Sequence, residues 1–318
     1  MSQRVLITGG NGFVGSALVP YLLKQSFSVI ASTRSSEFLP PGVTPFPIVD
    51  LSDDMDWRGA LEGVDTVFHL AGRAHVMGES KADALAAHRK INVDVTRNLG
   101  KQTVDHGVRR FVYISSIKVN GEATTDTPFS ARDPVDPKDP YGLSKLEAEQ
   151  ALKEVLEGSN TDLVIVRPPL IYGPGVKANF LSLLGLVRKR WPLPLANLDN
   201  RRSMISLTNL CDVLSRCATE DGALGRTFLV SDDDDVSTSR LLRLMSIAMK
   251  SKSGLFPFPV SLLKVGASLV GKGAQVNRLC GSLQVDISDT KRCLSWAPPL
   301  SVEQGVARVS EWYLRTYG

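Results

Sequence analysis

Apolar and polar positions alternate regularly over the first 175 residues. Short, nearly continuous apolar runs at 5–8, 28–32, 47–50, 66–70, 111–115 and 163–167 read as strands buried on both faces. Between them, stretches at 13–25, 57–62, 82–106 and 141–157 place apolar residues at helical spacing. Strand–helix alternation predicts an α/β fold, a Rossmann-type doubly wound parallel sheet, with one more strand at 227–231. After Pro174 the pattern becomes irregular, with prolines at 192, 194, 257, 259, 298 and 299. The expected division is a sheet domain over 1–175 plus roughly 200–235, and a smaller C-terminal lobe over 176–199 and roughly 236–318. Two loops interrupt the regular part: 38–45, and the polar, Pro-rich 120–140, which follows a strand's C-terminal end, where α/β folds place ligands.

The first strand runs into Thr8-Gly9-Gly10-Asn11-Gly12-Phe13-Val14-Gly15, a GxxGxxG turn that opens a helix. Gly9 suits the sharp turn, Gly12 the approach of a pyrophosphate and Gly15 close helix–sheet packing. Free N–H groups and the positive dipole end at the helix start favour phosphate, so the sheet domain is expected to bind NAD(P), with Phe13 and Val14 in the contact. NAD sites usually carry an acid at the end of the second strand. Here that end reads Ser32-Thr33-Arg34, with no acid. Arg34 beside Thr33 suits a 2′-phosphate, which favours NADP(H) over NAD(H); the alternative is a solvated arginine. Asp50 and Leu51 are candidate adenine contacts.

Tyr141-Gly142-Leu143-Ser144-Lys145 puts a phenol and an ammonium on one helix face. A cation about 4 Å away is worth ~1–4 kcal/mol, enough to draw a phenol ~1–3 pKa units toward phenolate. The pair is then a proton-transfer device. Ser116, at the end of the 111–115 strand, offers a hydroxyl to hold a reacting carbonyl oxygen.

Net charge is +4, from 37 Lys and Arg against 33 Asp and Glu, too weak an excess to demand nucleic acid. Four cysteines (211, 217, 280, 293) without a CxxC pair read as free cytosolic thiols. The N-terminus enters a strand at once, so a signal peptide is not expected and the cytoplasm is. The apolar stretch 255–270 contains Pro257, Pro259 and Lys264 and falls short of the ~20 residues of a membrane span. No metal is expected: His75, His88 and His106 show no ligand grouping, and Asp232-Asp233-Asp234-Asp235 reads as a solvated loop. His69, in an apolar strand end, reads as a packed core or near-cofactor residue rather than a base.

TGGNGFVG, Asp65-Thr66-Val67-Phe68-His69-Leu70-Ala71-Gly72, Asn92-Val93, Ser115-Ser116, YGLSK and Arg167-Pro168-Pro169-Leu170-Ile171-Tyr172-Gly173-Pro174-Gly175 together resemble the extended short-chain dehydrogenase/reductases over nearly the whole chain. The resemblance is closest to nucleotide-sugar 4-epimerases, 4,6-dehydratases and 4-ketoreductases. It implies that Tyr141 is the acid/base, Lys145 contacts the nicotinamide ribose, Ser116 polarises the C4 oxygen, Leu70, Ala71, Gly72 and Asn92 border the cofactor, and Pro168 begins the nicotinamide-side loop. It places Asn179, Arg202 and Arg278 near the sugar diphosphate, where a guanidinium fork suits phosphate. It also implies a homodimer through a four-helix bundle of 82–106 and 141–157. Ser295 replaces a family glycine. Lys118 stands where many epimerases carry a small hydroxyl residue, and Asn120 replaces a tyrosine. The wording Ser115-Ser116-Ile117-Lys118-Val119-Asn120-Gly121-Glu122 resembles bacterial enzymes that reduce C4 of UDP-2-acetamido-2,6-dideoxy-4-keto-hexoses. Their products are UDP-N-acetyl-quinovosamine or UDP-N-acetyl-fucosamine, for O-antigen and other surface polysaccharide. The leading expectation is therefore a 4-ketoreductase. The alternatives are a UDP-GlcNAc/UDP-glucose 4-epimerase with tightly bound NAD, and a non-catalytic nucleotide-binding regulator.

Overall fold

The computed structural model describes residues 2–73, 81–252, 254–269, 271 and 273–318, without the side chains of 81, 264, 267, 274, 275, 277 and 278. His75 and the Arg278 side chain therefore lie outside the described residues. The strands are β1 (Arg4–Thr8), β2 (Ser28–Thr33), β3 (Thr44–Pro47), β4 (Thr66–His69), β5 (Arg110–Ile114), β6 (Asp162–Arg167), β7 (Leu170–Tyr172), β8 (Met204–Ser206) and β9 (Thr227–Leu229). The helices are α1 (Gly15–Lys24), α2 (Arg58–Leu61), α3 (Lys81–Arg89), α4 (Val95–Asp105), α5 (Pro140–Leu156), α6 (Ala178–Arg188), α7 (Leu207–Thr219), α8 (Thr238–Ala248), α9 (Val260–Leu269), α10 (Gly273–Cys280), α11 (Ser288–Cys293) and α12 (Val302–Tyr317).

Seven strands form one parallel sheet in the order β3-β2-β1-β4-β5-β6-β9. Both faces are covered, as the unbroken apolar runs require. Val5 and Ile7 point into a core with Leu18 and Leu22 of α1 and Leu210 and Leu214 of α7. Leu6, between them, points into the opposite core with Val95 and Leu99 of α4 and Ala148 and Leu152 of α5. The strand order reverses beside β1, so the C-terminal ends of β1 and β4 flank the crevice where doubly wound sheets bind ligands. A third core gathers Tyr172, Phe180, Leu184, Leu242, Met245 and Val306 beyond the sheet.

Several boundaries differ from the sequence pattern. The strand expected at 47–50 lies at Thr44–Pro47, paired Ile30↔Thr44 to Thr33↔Pro47, while Val49 is almost fully exposed. Edge position decides this, since an edge strand tolerates Pro45 and Pro47. Ile48 donates its N–H inward to the Thr33 carbonyl (2.9 Å). The helix expected at 57–62 is one turn, Arg58–Leu61. The helix expected at 82–106 is broken by a π turn at Lys90–Asp94. The parallel pair β7–β8 and the helices α7 and α12 were not legible as periodicity. Ser295, at the family's glycine position, adopts φ +45°, the left-handed region that glycine enters without cost.

The acidic run is not a solvated loop. Asp232 is buried and accepts from Tyr172 Oη (2.7 Å), Ser206 N (2.9 Å) and Asn209 Nδ2 (2.6 Å). Asp233 pairs with Lys291, Asp234 with Arg240, and Asp235 accepts from Ser203 and Gln284. Each carboxylate is occupied by a different element, which explains how four like charges coexist at the end of β9.

Candidate active site

The glycine turn is built as its sequence demands. Gly9 has φ +72°, and a Cβ there would meet Ala71 N at 3.1 Å. A Cβ on Gly15 would lie 2.2 Å from the Gly9 carbonyl oxygen, so only glycine lets α1 start against the turn. Gly12 is exposed at the mouth, and no side chain caps α1. The Ser16 and Ala17 N–H groups donate to the Gly12 and Val14 carbonyls (2.9 and 3.1 Å), which leaves those of Phe13, Val14 and Gly15 to meet an anion. Phe13 lies 3.8 Å from an ideal Cβ at Gly175, which joins the turn to the segment after Pro168. The Thr33 hydroxyl is engaged by Asn11 and donates to the Ser35 carbonyl (2.6 Å), while Arg34 is exposed. Asp50 accepts from Leu51 N (2.8 Å) and is exposed; Leu51 packs on the second core.

The end of β4 is fixed by a buried network. Thr96 donates to the Asn92 carbonyl (2.7 Å), so His69 Nε2–H donates to Thr96 Oγ1 (2.8 Å) and Nδ1 accepts from Thr8 Oγ1 (2.7 Å). Thr8 Oγ1 in turn accepts from Leu70 N (3.2 Å) and Ala71 N (3.1 Å). Burial pushes His69 down to about 3, and Lys145 acts in the same direction. A histidine neutral at every working pH holds the loop and does not titrate. Asn92 sits in the π turn. Its Oδ1 accepts from Arg73 N (2.7 Å), its Nδ2 donates to Ser144 Oγ (2.9 Å), and it stands 3.0 Å from an ideal Cβ at Gly72. The extra residue of a π turn re-aims a side chain, and such turns recur at functional sites.

Ser116, Tyr141 and Lys145 come together at the C-terminal ends of β4 and β5. Asp139 caps α5 by accepting from Gly142 N (2.7 Å), and Pro140 opens its first turn. Gly142 packs under the Lys118 carbonyl, where a Cβ would come within 2.8 Å. This close fit carries Ser116 to the Tyr141 phenol, whose pKa it acts to lower. Lys145 is buried, donates to the Ile114 carbonyl (2.8 Å), stands 4.7 Å over the Tyr113 ring and lies 3.5 Å from an ideal Cβ at Gly72. The Pro168 carbonyl accepts from Ile117 N (3.0 Å), tying the loop after β6 to Ser116.

The expected acidification of Tyr141 is corrected. Burial and then Asp139 push the phenol up to about 12, against which Ser116 acts; Lys145 does not contribute. Burial equally pulls Lys145 down to about 8, with Glu149 opposing. Desolvation penalises both charged forms and outweighs the spacing argument. The protein alone thus holds a neutral phenol.

Three features of the site were not legible in the sequence. His88 is buried with its ring edge-on to Tyr141, centroids 5.8 Å apart. Lys118, the departure from the family pattern, pairs with Asp139 and with Glu122 (3.2 Å), so it balances the cap carboxylate beside the phenol. Glu149, two turns below Tyr141, is fully buried. It accepts from Ser115 Oγ (2.5 Å) and from Arg167 Nε (2.8 Å) and Nη2 (2.5 Å), while Arg167 Nη1 donates to Asn120 Oδ1 (3.0 Å). The spacing 141, 145, 149 was the available signal.

Of the residues expected around substrate, Asn179 is exposed in the first turn of α6. Arg202 is half-buried and donates to the Gly281 carbonyl (3.1 Å) at the end of α10. Among the described residues no cluster of His, Cys, Asp and Glu is arranged to hold a metal, and no helix is long and apolar enough to cross a membrane. The donor set fits a dinucleotide: an uncapped glycine-lined helix start for phosphates, and a buried ammonium beside Gly72 for ribose hydroxyls.

Residues 5–230 match the NAD dependent epimerase/dehydratase family. The chain is 42% identical to a UDP-glucose 4-epimerase of Vibrio cholerae, over 99% of this chain and 97% of that protein. Among solved structures it is similar to MoeE5 in complex with UDP-glucose and NAD, with TM-score 0.79 and 23% identity over 99% of this chain and all of that one. It is also similar to the UDP-glucose 4-epimerase of Thermotoga maritima with UDP-glucose, with TM-score 0.77 and 19% identity over 99% of this chain and all of that one. With the glycine turn at the sheet's switch point and the Ser116–Tyr141–Lys145 group beside it, the chain belongs to the NAD dependent epimerase/dehydratase family.

Proposed function

We propose that this protein is a UDP-sugar 4-epimerase that keeps its NAD bound through turnover. The observation that carries the reading is the convergence of the Ser116–Tyr141 pair with Lys145 at Gly72. The identity to the Vibrio cholerae enzyme favours epimerisation over the 4-ketoreduction expected from the sequence. When bound, NAD supplies a hydride acceptor and donor for C4 of the sugar and a positive charge beside the phenol. Tyr141 moves the proton of the C4 hydroxyl, Ser116 holds that oxygen, and Lys145 holds the ribose. Gly9, Gly12 and Gly15 with α1 cradle the pyrophosphate, and Arg202 with Asn179 holds the sugar diphosphate, the role the sequence also gives to Arg278.

A second reading, an NADPH-dependent reductase of a UDP-4-keto-6-deoxy sugar, rests on the acid-free end of β2 and the exposed Arg34. One experiment separates them. Purified protein is acid-extracted for its dinucleotide, then incubated with UDP-GlcNAc or UDP-glucose without added cofactor, and the products are resolved by NMR. Co-purified NAD and a 4-epimer are expected. No conversion, together with consumption of added NADPH by the 4-keto sugar, would overturn the epimerase reading.

Because burial holds Lys145 near pKa 8, its cation is present below that pH and lost as pH rises through it. We expect kcat/KM to fall on an alkaline limb centred near 8, and this limb to be absent from the residual activity of Lys145→Met. A pH profile of both proteins checks it. The homodimer belongs to the same proposal. Val95 and Leu99 are spent on the sheet core, which leaves Arg89, Arg97, Glu147 and Glu154 to form the charged outer face of α3–α5.

A further inference from the structure

Charge is distributed very unevenly along this chain. Residues 163–198 and 236–285 together contain twelve Lys and Arg and no Asp or Glu, while the whole chain is only +4. The two stretches meet in space: Leu193 N donates to the Gly254 carbonyl (2.9 Å) and Phe256 N to the Leu193 carbonyl (3.0 Å). On one side of this junction Arg188, Lys189 and Arg190 are exposed, followed by Trp191, which is 58% exposed. On the other side Phe256 and Phe258 lead into α9.

That helix is apolar on two faces. Val260 and Leu263 pack on the third core. Leu262, Val265 and Leu269, at positions i, i+3 and i+7, face solvent at 58, 60 and 84% exposure. A stripe that turns Leu and Val outward gains nothing in water. Exposed aromatic and aliphatic side chains in segments that carry basic residues and no acids are the chemistry of a helix lying in the interface of an anionic bilayer.

We infer that the outer face of α9, with Trp191 and the Arg188–Arg190 cluster, docks this protein on an anionic lipid surface. The contact is peripheral and leaves the sheet and its site in water. Charge complementarity selects this occupant: each basic side chain near such a surface strengthens binding about fivefold, and salt weakens it. Docking here is independent of which UDP-sugar the site turns over.

The test is co-sedimentation of the full chain with vesicles of phosphatidylcholine alone or mixed with phosphatidylglycerol, at low and high salt. Binding is expected to be about tenfold or more stronger to the anionic vesicles and to fall with salt. The triple variant Leu262→Asp/Val265→Asp/Leu269→Asp is expected to lose it while retaining turnover of a soluble UDP-sugar. Arg188→Gln/Arg190→Gln, which leaves the helix untouched, is expected to weaken it about 25-fold. The inference is overturned if wild type ignores anionic vesicles, or if both variants bind them as wild type does. It is equally overturned if wild type binds no vesicle and the Asp variant instead halves the mass in solution, which gives the face to a second copy of the chain.

Discussion

Replacing Tyr141 with Phe is expected to lower kcat about 10³-fold, within the range a positioned proton-transfer group supplies, while leaving the co-purified dinucleotide in place. The two effects separate because the phenol oxygen and the ring do different things. The ring is held edge-on by His88 whether or not it bears a hydroxyl. The oxygen, beside Ser116, is the group proposed to exchange a proton with the sugar. His69 cannot substitute, since burial keeps it neutral down to about pH 3. Ser116→Ala is expected to cost less, about 10²-fold, because it removes a hydrogen bond and leaves the proton carrier. Single-turnover rates and cofactor content by acid extraction check both. Unchanged turnover in Tyr141→Phe would remove the catalytic reading and leave a nucleotide-binding regulator.

The largest stability effect is expected at Arg167. Arg167→Met leaves Glu149 as a lone carboxylate in the protein interior, which costs about 3–5 kcal/mol. For a chain of this size that lowers Tm by about 6 °C. The double variant Glu149→Leu/Arg167→Met is expected to recover most of the loss, because removing both charges also removes their desolvation. Thermal unfolding of the two variants decides the point; equal destabilisation would show that shape at this junction matters more than charge. Activity is expected to fall even in the recovered variant, since Glu149 also fixes Ser115 next to Ser116 and favours the Lys145 cation.

The sheet was legible because its strands are buried on both faces, so each appears as a short unbroken apolar run such as Val5–Ile7 or Phe111–Ile114. The glycine turn and the Tyr141–Lys145 pair were legible because each is written within a few consecutive residues. What escaped depends on tertiary context. Nothing local tells that Lys90–Asp94 takes an extra residue per turn and swings Asn92 to Gly72. Nothing local tells that Asp232 is buried among Tyr172, Ser206 and Asn209. The raised pKa of Tyr141 is hidden for the same reason: spacing sets which groups share a face, while burial sets the cost of charging them.

The outermost ribbon of the sheet has a further consequence. Residue 48 gives its amide hydrogen inward to β2, and alternation along a strand then sends the positions at 45 and 47 outward. Both are proline, with no amide hydrogen to offer. A stray polypeptide approaching this rim finds no ladder to extend, so the molecule is guarded there against edge-to-edge aggregation.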